Sequence, residues 1–95
     1  MSAYVYMLES ACNGTLYVGV TSNLVRRIWE HKGKFVVGFT SRHGVGLLVW
    51  FEQHERIDTA ILREKQIKKW RRSWKLRLIE QANPYWRDLY DEILQ

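Results

Sequence analysis

The sequence predicts a small α/β (α+β) domain in which a three-stranded, mostly antiparallel sheet is flanked by helices, in the order ββα-β-αα. A strong turn signal at Asn13-Gly14 lies between two short β-branched and aromatic runs. A continuous apolar run at 47–51 is typical of a buried strand, and two helical stretches follow it. The length of 95 residues suits a single domain over 1–95 and excludes two catalytic domains.

A β-hairpin over 4–20 is predicted first, because Asn and Gly accept the positive φ angles that a type I′ turn requires. Residues 21–23 then offer side-chain oxygens for a helix N-terminus. The helix is predicted over 24–32 and ends at Gly33. Its apolar stripe consists of Leu24, Val25, Ile28 and Trp29.

A glycine-containing loop at 33–46 leads to the third strand, predicted over 47–51. A helix then opens at Asp58-Thr59 and runs to about Trp70. Four apolar residues at helical spacing define its inward face: Ile57, Ala60, Ile61 and Ile67.

Ser73 is predicted to cap a second helix, which extends through Gln81 and is stopped by Asn83-Pro84. The last residues, 84–95, are predicted as a weakly amphipathic helical tail. Its packing side chains are Trp86, Leu89 and Ile93.

The charge balance indicates an anionic partner, most often nucleic acid. The chain has 15 Lys and Arg against 10 Asp and Glu, a net charge of +5 and a pI near 9.6. Residues 63–77 alone hold eight basic residues and one acidic one. A solvated helix surface is the alternative interpretation of this basic segment.

Cysteine content and hydropathy exclude several classes of protein. The single cysteine, Cys12, excludes an intrachain disulfide and a cysteine-based zinc site. No apolar run approaches the roughly 18–20 residues that span a bilayer, and the N-terminus lacks the features of a signal peptide. We therefore expect a soluble cytoplasmic protein with no membrane or disulfide partner. The sequence leaves the oligomeric state open.

Two tyrosines on the hairpin are the first candidates for chemistry. Across a two-residue turn, Tyr17 would sit opposite Ser10, so Tyr17 and Tyr6 share one face of the sheet. Their offset of four residues is roughly 13 Å, so they would flank one site without touching. Gly19, on the same face, would leave an open patch of sheet beside Tyr17. The alternative is that both tyrosines are core aromatics.

The helices supply three further candidates. Arg27 and His31 are i,i+4 neighbours at the margin of the apolar stripe, where a guanidinium is well placed to bind a phosphate. Glu64 falls on the inward side of its helix, and a carboxylate there needs a cation. That cation is Lys68, an arginine from another element, or a divalent metal such as magnesium. For Arg27 and His31, the alternative is a snorkelling arginine and a surface imidazole.

These residues together resemble the GIY-YIG nuclease superfamily, most closely its small, stand-alone bacterial members. The match rests on Tyr4-Val5-Tyr6, on Tyr17-Val18-Gly19 eleven residues later, and on Arg27, His31 and Glu64 beyond them. It covers about residues 3–83 and implies a three-stranded antiparallel sheet flanked by helices. Tyr4-Val5 stands where the family has Gly-Ile. The family's late polar residue, often Asn, has its best candidate in Asn83, as possible support for the site.

The resemblance implies a metal-dependent endonuclease that hydrolyses phosphodiester bonds of DNA, of a kind that includes structure-specific enzymes of DNA repair and processing. Glu64 would hold magnesium or manganese, and Arg27 would clamp the scissile phosphate. Tyr6 or Tyr17 would orient and deprotonate the water, and His31 would assist proton transfer or hold the phosphate. The nucleic-acid backbone would meet a set of basic residues: Lys65, Lys68, Lys69, Arg71, Arg72 and Lys75.

Two other functions remain open from the sequence. A catalytically weak nucleic-acid-binding module would keep the fold and bind with strong salt dependence. A protein-interaction module would use the helix after Ser73 and would show no affinity for DNA. Trp70 and Trp74 lie among the basic residues. Their spacing favours helix packing over stacking on unpaired bases.

Overall fold

The structure, a computed structural model, describes residues 2–10, 14–33 and 46–95. Its three strands are β1 (Ala3–Ser10), β2 (Leu16–Thr21) and β3 (Gly46–His54), and its helices are α1 (Leu24–Lys32), α2 (Ile57–Lys68), α3 (Arg72–Ala82) and α4 (Tyr90–Ile93). The sheet order is β2-β1-β3, with both pairs antiparallel. This confirms the predicted fold class. Cys12, Asn13 and most of the predicted loop lie outside the described residues.

The hairpin register differs from the prediction by two residues. Tyr17 pairs with Leu8, not with Ser10. The Ser10 amide donates to the Thr15 carbonyl at 2.8 Å, so four residues separate these partners where a two-residue turn was expected. Gly14 has a positive φ of 69°, which glycine adopts without strain because it has no Cβ. Because the shift is an even number, Tyr6 and Tyr17 still share a face, but their offset falls from four residues to two.

Helix α1 has the predicted bounds, and the Asn23 side chain accepts from the Arg26 amide at 3.1 Å as its N-cap. The predicted apolar stripe is partly wrong, because Val25 and Trp29 are exposed. The buried line instead consists of Leu24, Ile28 and His31. His31 is therefore part of the buried face of α1, and Trp29, which the hydrophobic pattern placed on that face, is exposed.

Helices α2 and α3 start and end near the predicted residues, with two corrections. Ser73 does not cap α3, which begins one residue earlier, at Arg72. On α2, Ala60 and Ile67 are fully buried, whereas Ile57 and Ile61 are exposed. The inward face of α2 is therefore narrower than the apolar pattern predicts.

The sheet separates two clusters of buried side chains. On one face, the cluster joins Val5 and Val18 to Ala60 and Ile67 of α2 and to Ile79 of α3. On the other face, the cluster contains Tyr6, Leu8, Leu24, Ile28, Leu48 and Leu89. The tyrosine pair consequently lies on the α1 side of the sheet.

The C-terminal tail packs as predicted, with Leu89 buried and Trp86 and Ile93 partly buried. The Leu89 amide donates to the Leu48 carbonyl at 2.8 Å, and Lys32 pairs with Asp88 at 2.6 Å. The tail is thereby attached both to β3 and to the end of α1. Among the described residues, no helix has the length and apolar character needed to cross a membrane.

Candidate functional site

The ring of Tyr6 lies over Gly19, its partner in the β1–β2 register. A Cβ built on Gly19 would come within 2.5 Å of Tyr6 Cζ, so only glycine leaves room for the ring. The expected open patch beside Tyr17 is therefore filled by Tyr6. Tyr6 itself is only 1% exposed.

The Tyr6 hydroxyl joins three neighbouring side chains. It lies 3.1 Å from His31 Nε2, and it also hydrogen-bonds with Arg27 and Tyr17. A phenol has one proton to donate and two lone pairs, and Arg27 can only donate. Burial raises the pKa of Tyr6 to about 12, against the opposing effect of the Arg27 hydrogen bond. Tyr6 therefore stays protonated at neutral pH.

The two tyrosine rings are close neighbours. Their centroids are 6.3 Å apart with a tilt of 38°, and His31 lies edge-on to Tyr17 at 5.3 Å. The prediction that the tyrosines would not touch is wrong, because it depended on the two-residue turn. Unlike Tyr6, Tyr17 is only partly buried and remains accessible to solvent.

His31 is buried, so its interpretation as a surface imidazole is wrong. Burial and the nearby Arg27 guanidinium lower the pKa of His31 to about 4, and the Glu30 carboxylate opposes them. The imidazole is neutral at pH 7, and its Nε2 is hydrogen-bonded to the buried Tyr6 hydroxyl. At 1% exposure, His31 is not accessible to a phosphate in solvent.

Arg27 connects this buried group with solvent. Its side chain is 36% exposed, and the hydrogen bond to Tyr6 raises the pKa of its guanidinium. It lines a surface concavity formed by the end of β2, the start of α1 and the first residue of α2. The guanidinium is thus held from behind while its outer edge remains available to a ligand.

Glu30 is a residue of this concavity that the sequence analysis missed. It pairs with Arg27 at 3.5 Å and with Arg26 at 3.4 Å. The i,i+3 and i,i+4 spacing to the two arginines was the available signal. At the rim of the concavity, Glu30 balances part of the positive charge of the two arginines.

Glu64 lies on α2, with its side chain 13% exposed and paired with Lys68 Nζ at 3.2 Å. It follows Ile57 by two helical turns, and Ile57 lines the concavity beside Arg27. In the described ranges, no three His, Cys, Asp or Glu side chains gather at one point. A single carboxylate is nonetheless a donor set that suits magnesium or manganese held together with water and phosphate.

Asn83 is buried and fully engaged with backbone groups. Its Nδ2 donates to the carbonyls of Val49 and Arg87 at 3.1 and 2.8 Å, and its Oδ1 accepts from the Arg87 amide. These bonds fix the turn that starts the C-terminal tail. The structure does not bring Asn83 into contact with the Tyr6 group through any described hydrogen bond.

The predicted phosphate-contacting residues line α2, α3 and the corner between them, and most of them are exposed. Two of them already have partners: Lys68 pairs with Glu64, and Arg72 donates to the Gly14 carbonyl at 2.8 Å. Within the described ranges, the remaining four have no carboxylate at ion-pairing distance: Lys65, Lys69, Arg71 and Lys75. A net positive surface remains for an anionic ligand.

The site thus combines a buried tyrosine–histidine pair with an accessible arginine on one face of the three-stranded sheet. A family model described as the GIY-YIG catalytic domain matches residues 2–77. The chain belongs to the GIY-YIG family, which implies a nuclease-type function on a nucleic acid and, in general, dependence on a divalent metal.

Two relatives are similar to this chain in sequence, and one solved structure is similar to it in fold. A UPF0213 protein of Syntrophus aciditrophicus is 42% identical over 82 residues, which are 85% of this chain and 92% of the relative. A UPF0213 protein of Clostridium perfringens is 41% identical over 76 residues, 80% of this chain and 81% of the relative. The solution NMR structure of a UPF0213 protein from Bacillus halodurans matches with a TM-score of 0.61 and 27% identity, covering 93% of each chain.

Proposed function

We propose that this protein is a metal-dependent endonuclease that hydrolyses phosphodiester bonds of DNA. The observation that carries the proposal is the hydrogen-bonded series Arg27–Tyr6–His31, which holds an accessible guanidinium at the edge of the core. In this arrangement Arg27 and Tyr17 contact the substrate, whereas Tyr6 and His31 position them from behind.

Arg27 would bind the scissile phosphate through two parallel N–H donors, which match two phosphate oxygens. The phosphate would replace Glu30, whose ion pair with Arg27 is long at 3.5 Å and partly exposed. As the phosphorus becomes five-coordinate, negative charge builds on the same oxygens, so the guanidinium stabilises the transition state more than the ground state.

Tyr17 is the better candidate for orienting the attacking water. Tyr6 is buried and its pKa is about 12, so it neither reaches a water in the concavity nor ionises at neutral pH. Tyr17 is accessible and adjacent to Tyr6, so its phenolic oxygen would accept a hydrogen bond from the water. Attack by this water forms a new phosphorus–oxygen bond and breaks the bond to the leaving oxygen; the water gives up one proton to solvent, and the leaving oxygen takes one up from solvent.

Glu64 would hold the divalent ion, magnesium or manganese, and such an ion, when bound, stabilises charge on the leaving oxygen. Lys68 is about half exposed, so it could withdraw into solvent where a divalent ion replaced it beside the mostly buried Glu64 carboxylate. Two supporting residues complete the site assignment. Gly19 makes room for the Tyr6 ring, and Asn83 supports the turn that starts the C-terminal tail.

Lys65, Lys69, Arg71 and Lys75 would contact phosphates along the backbone, and Arg72 would contribute its charge beside them while its Nη2 stays bonded to the Gly14 carbonyl. Such contacts fix the position of a nucleic acid without reading its bases. This supports cleavage directed by the shape of the DNA, as in a structure-specific enzyme of DNA repair or processing.

The test is metal-dependent cleavage of labelled duplex, single-stranded, flap and junction DNA, with RNA as a comparison. Wild type is expected to cut at least one DNA in magnesium or manganese, and to stop in EDTA. Glu64→Gln removes the metal-binding charge and is expected to abolish cleavage. Glu55→Gln, a matched change at an exposed glutamate outside the site, is expected to retain it. Equal cleavage by both variants would exclude Glu64 as the metal ligand.

A second candidate is a nucleic-acid-binding module of the same fold with little catalysis. The Glu64–Lys68 ion pair favours it, because the carboxylate already has a cation at 3.2 Å without metal. This candidate predicts that wild type and Glu64→Gln bind DNA equally, with steep salt dependence, and that neither cuts it.

A further inference from the structure

The corner between α2 and α3 forms a groove that the proposed chemistry does not use. Its walls are the side chains of Trp70, Trp74, Arg77, Leu78 and Gln81. The two tryptophan rings meet edge-to-face with centroids 6.1 Å apart. Trp70 packs against the core cluster, but Trp74 remains 47% exposed. Helix packing, the interpretation favoured from the sequence, therefore explains the burial of Trp70 but not the exposure of about half of the Trp74 side chain.

Positive charge surrounds this groove. The Arg71 guanidinium lies over one face of the Trp74 ring, 5.2 Å from its centroid, which leaves the other face for a base, and Arg77 forms part of the wall. Across the described ranges, Arg71, Lys75 and Arg77 have no carboxylate at ion-pairing distance. An exposed aromatic ring among unneutralised cations is unfavourable for a neutral or basic protein partner and matches a polyanion that carries flat apolar rings.

We propose that this groove binds an unpaired base of a DNA strand, stacked against Trp74, with the adjoining phosphates on Arg71, Lys75 and Arg77. A single strand offers the face of each base, whereas a continuous duplex hides those faces in its own stack. The inference rests on the proposed function and deepens it, because it names DNA with a single-stranded region as the substrate class.

The groove is tied to the strand that carries the proposed water-orienting residue. At the start of α3, Arg72 Nη2 donates to the Gly14 carbonyl at 2.8 Å. Gly14 precedes Tyr17 by three residues, a rise of about 10 Å along the chain. The groove lies on the α2 and α3 side of the sheet and Tyr17 on the α1 side, so a strand seated in the groove would pass around the β2 edge of the sheet to reach Tyr17.

The test is equilibrium binding in EDTA, so that cleavage does not intervene. The probes are a fluorescent single-stranded oligothymidylate of about 12 nucleotides, within the usual site sizes, and a blunt duplex of the same length. Trp74→Ala is expected to weaken binding of the single strand by roughly 5- to 150-fold, the range for loss of one stacked base. Its effect on the duplex is expected to stay below about 2-fold.

Trp29→Ala is the matched control, because Trp29 is a 54% exposed tryptophan on α1, away from the basic segment. It is expected to bind both probes as wild type does. Trp74→Phe retains an aromatic face and is expected to recover most of the single-strand affinity. Thermal unfolding of each variant separates lost binding from lost folding.

The inference is overturned if Trp74→Ala binds the single strand as wild type does, or if it weakens both probes equally. The cleavage test with Glu64→Gln is independent of these outcomes. If Trp74→Ala binds normally and wild type cuts DNA with metal, the groove is not a base-binding site but the protein is a nuclease. If Trp74→Ala binds weakly and wild type cuts no DNA, the groove binds a base but the protein is not a nuclease.

Discussion

The ring of Tyr6 occupies the space that any side chain at Gly19 would need, so these two cross-strand partners define each other's geometry. The ring is directed along the sheet, and its hydroxyl meets Arg27 and His31 of α1. One glycine on β2 thus determines where the Arg27 guanidinium is held. The glycine acts through packing and not through an unusual φ angle.

Gly19→Ala is expected to move the Tyr6 ring and loosen its contact with Arg27. Overpacking of this kind costs about 1–3 kcal/mol of unfolding free energy, which corresponds to a fall in Tm of about 4–8 °C per kcal/mol for a chain of this size. Urea denaturation measures the loss. Gly33→Ala is the matched control, because Gly33 is exposed and its φ of −83° suits alanine. Equal stability of the two variants would contradict the steric account.

Sequence reasoning predicted where several candidate residues lie in the fold better than it predicted their distances from one another. The hairpin, the edge position of Arg27 and the inward tendency of Glu64 all follow from turn chemistry and helical periodicity. The contact between Tyr6 and Tyr17 depended on the length of the turn, and an error of two residues doubled their predicted offset.

The burial of His31 was not predictable from hydrophobic periodicity, because that pattern counts only apolar residues. Leu24, Ile28 and His31 share one line of α1, and the imidazole is tolerated there because Tyr6 satisfies its Nε2. Trp29 fits the hydrophobic stripe in sequence yet faces solvent. Only the contacts that each side chain makes in the folded protein distinguish the buried His31 from the exposed Trp29.

His31 is expected to make stability depend on pH between about 4 and 6.5. Its pKa is about 4 in the folded chain, against about 6.5 when unfolded. The unfolded state binds more protons in this window, so unfolding free energy rises with pH there and is lost as pH falls. The loss over the window is about 2–3 kcal/mol.

Chemical denaturation at several pH values between 4.5 and 7.5 measures this dependence. His31→Gln keeps a hydrogen-bonding side chain beside Tyr6 but does not titrate, so its stability curve is expected to be flatter than that of wild type over this range. Parallel curves for the two proteins would show that His31 does not account for the acid loss.

Replacing each tyrosine by phenylalanine is expected to separate their roles. Tyr17→Phe removes the hydroxyl assigned to the attacking water, so single-turnover cleavage is expected to fall by about 10²- to 10⁴-fold, and the lost hydrogen bond with Tyr6 costs about 0.5–1.5 kcal/mol of unfolding free energy. Tyr6→Phe leaves His31 Nε2 without this partner, which costs about 1–3 kcal/mol of unfolding free energy. The reverse pattern, with chemistry lost only in Tyr6→Phe, would make Tyr6 the residue that contacts water.

Arg27 and Arg26 provide a test of the phosphate clamp, because they are adjacent, carry the same charge and both pair with Glu30. Only Arg27 is hydrogen-bonded to Tyr6, and Arg26 is 74% exposed. Arg27→Ala is expected to lower the single-turnover rate by about 10²- to 10³-fold, as for loss of one preorganised donor to a developing oxyanion. Arg27→Lys is expected to recover little, because an ammonium lacks the planar pair of donors. Arg26→Ala is expected to weaken DNA binding slightly and to leave the rate at saturating protein unchanged. If the single-turnover rate falls equally in the two alanine variants, the rate depends on the positive charge of α1 and not on the position in which Tyr6 holds Arg27.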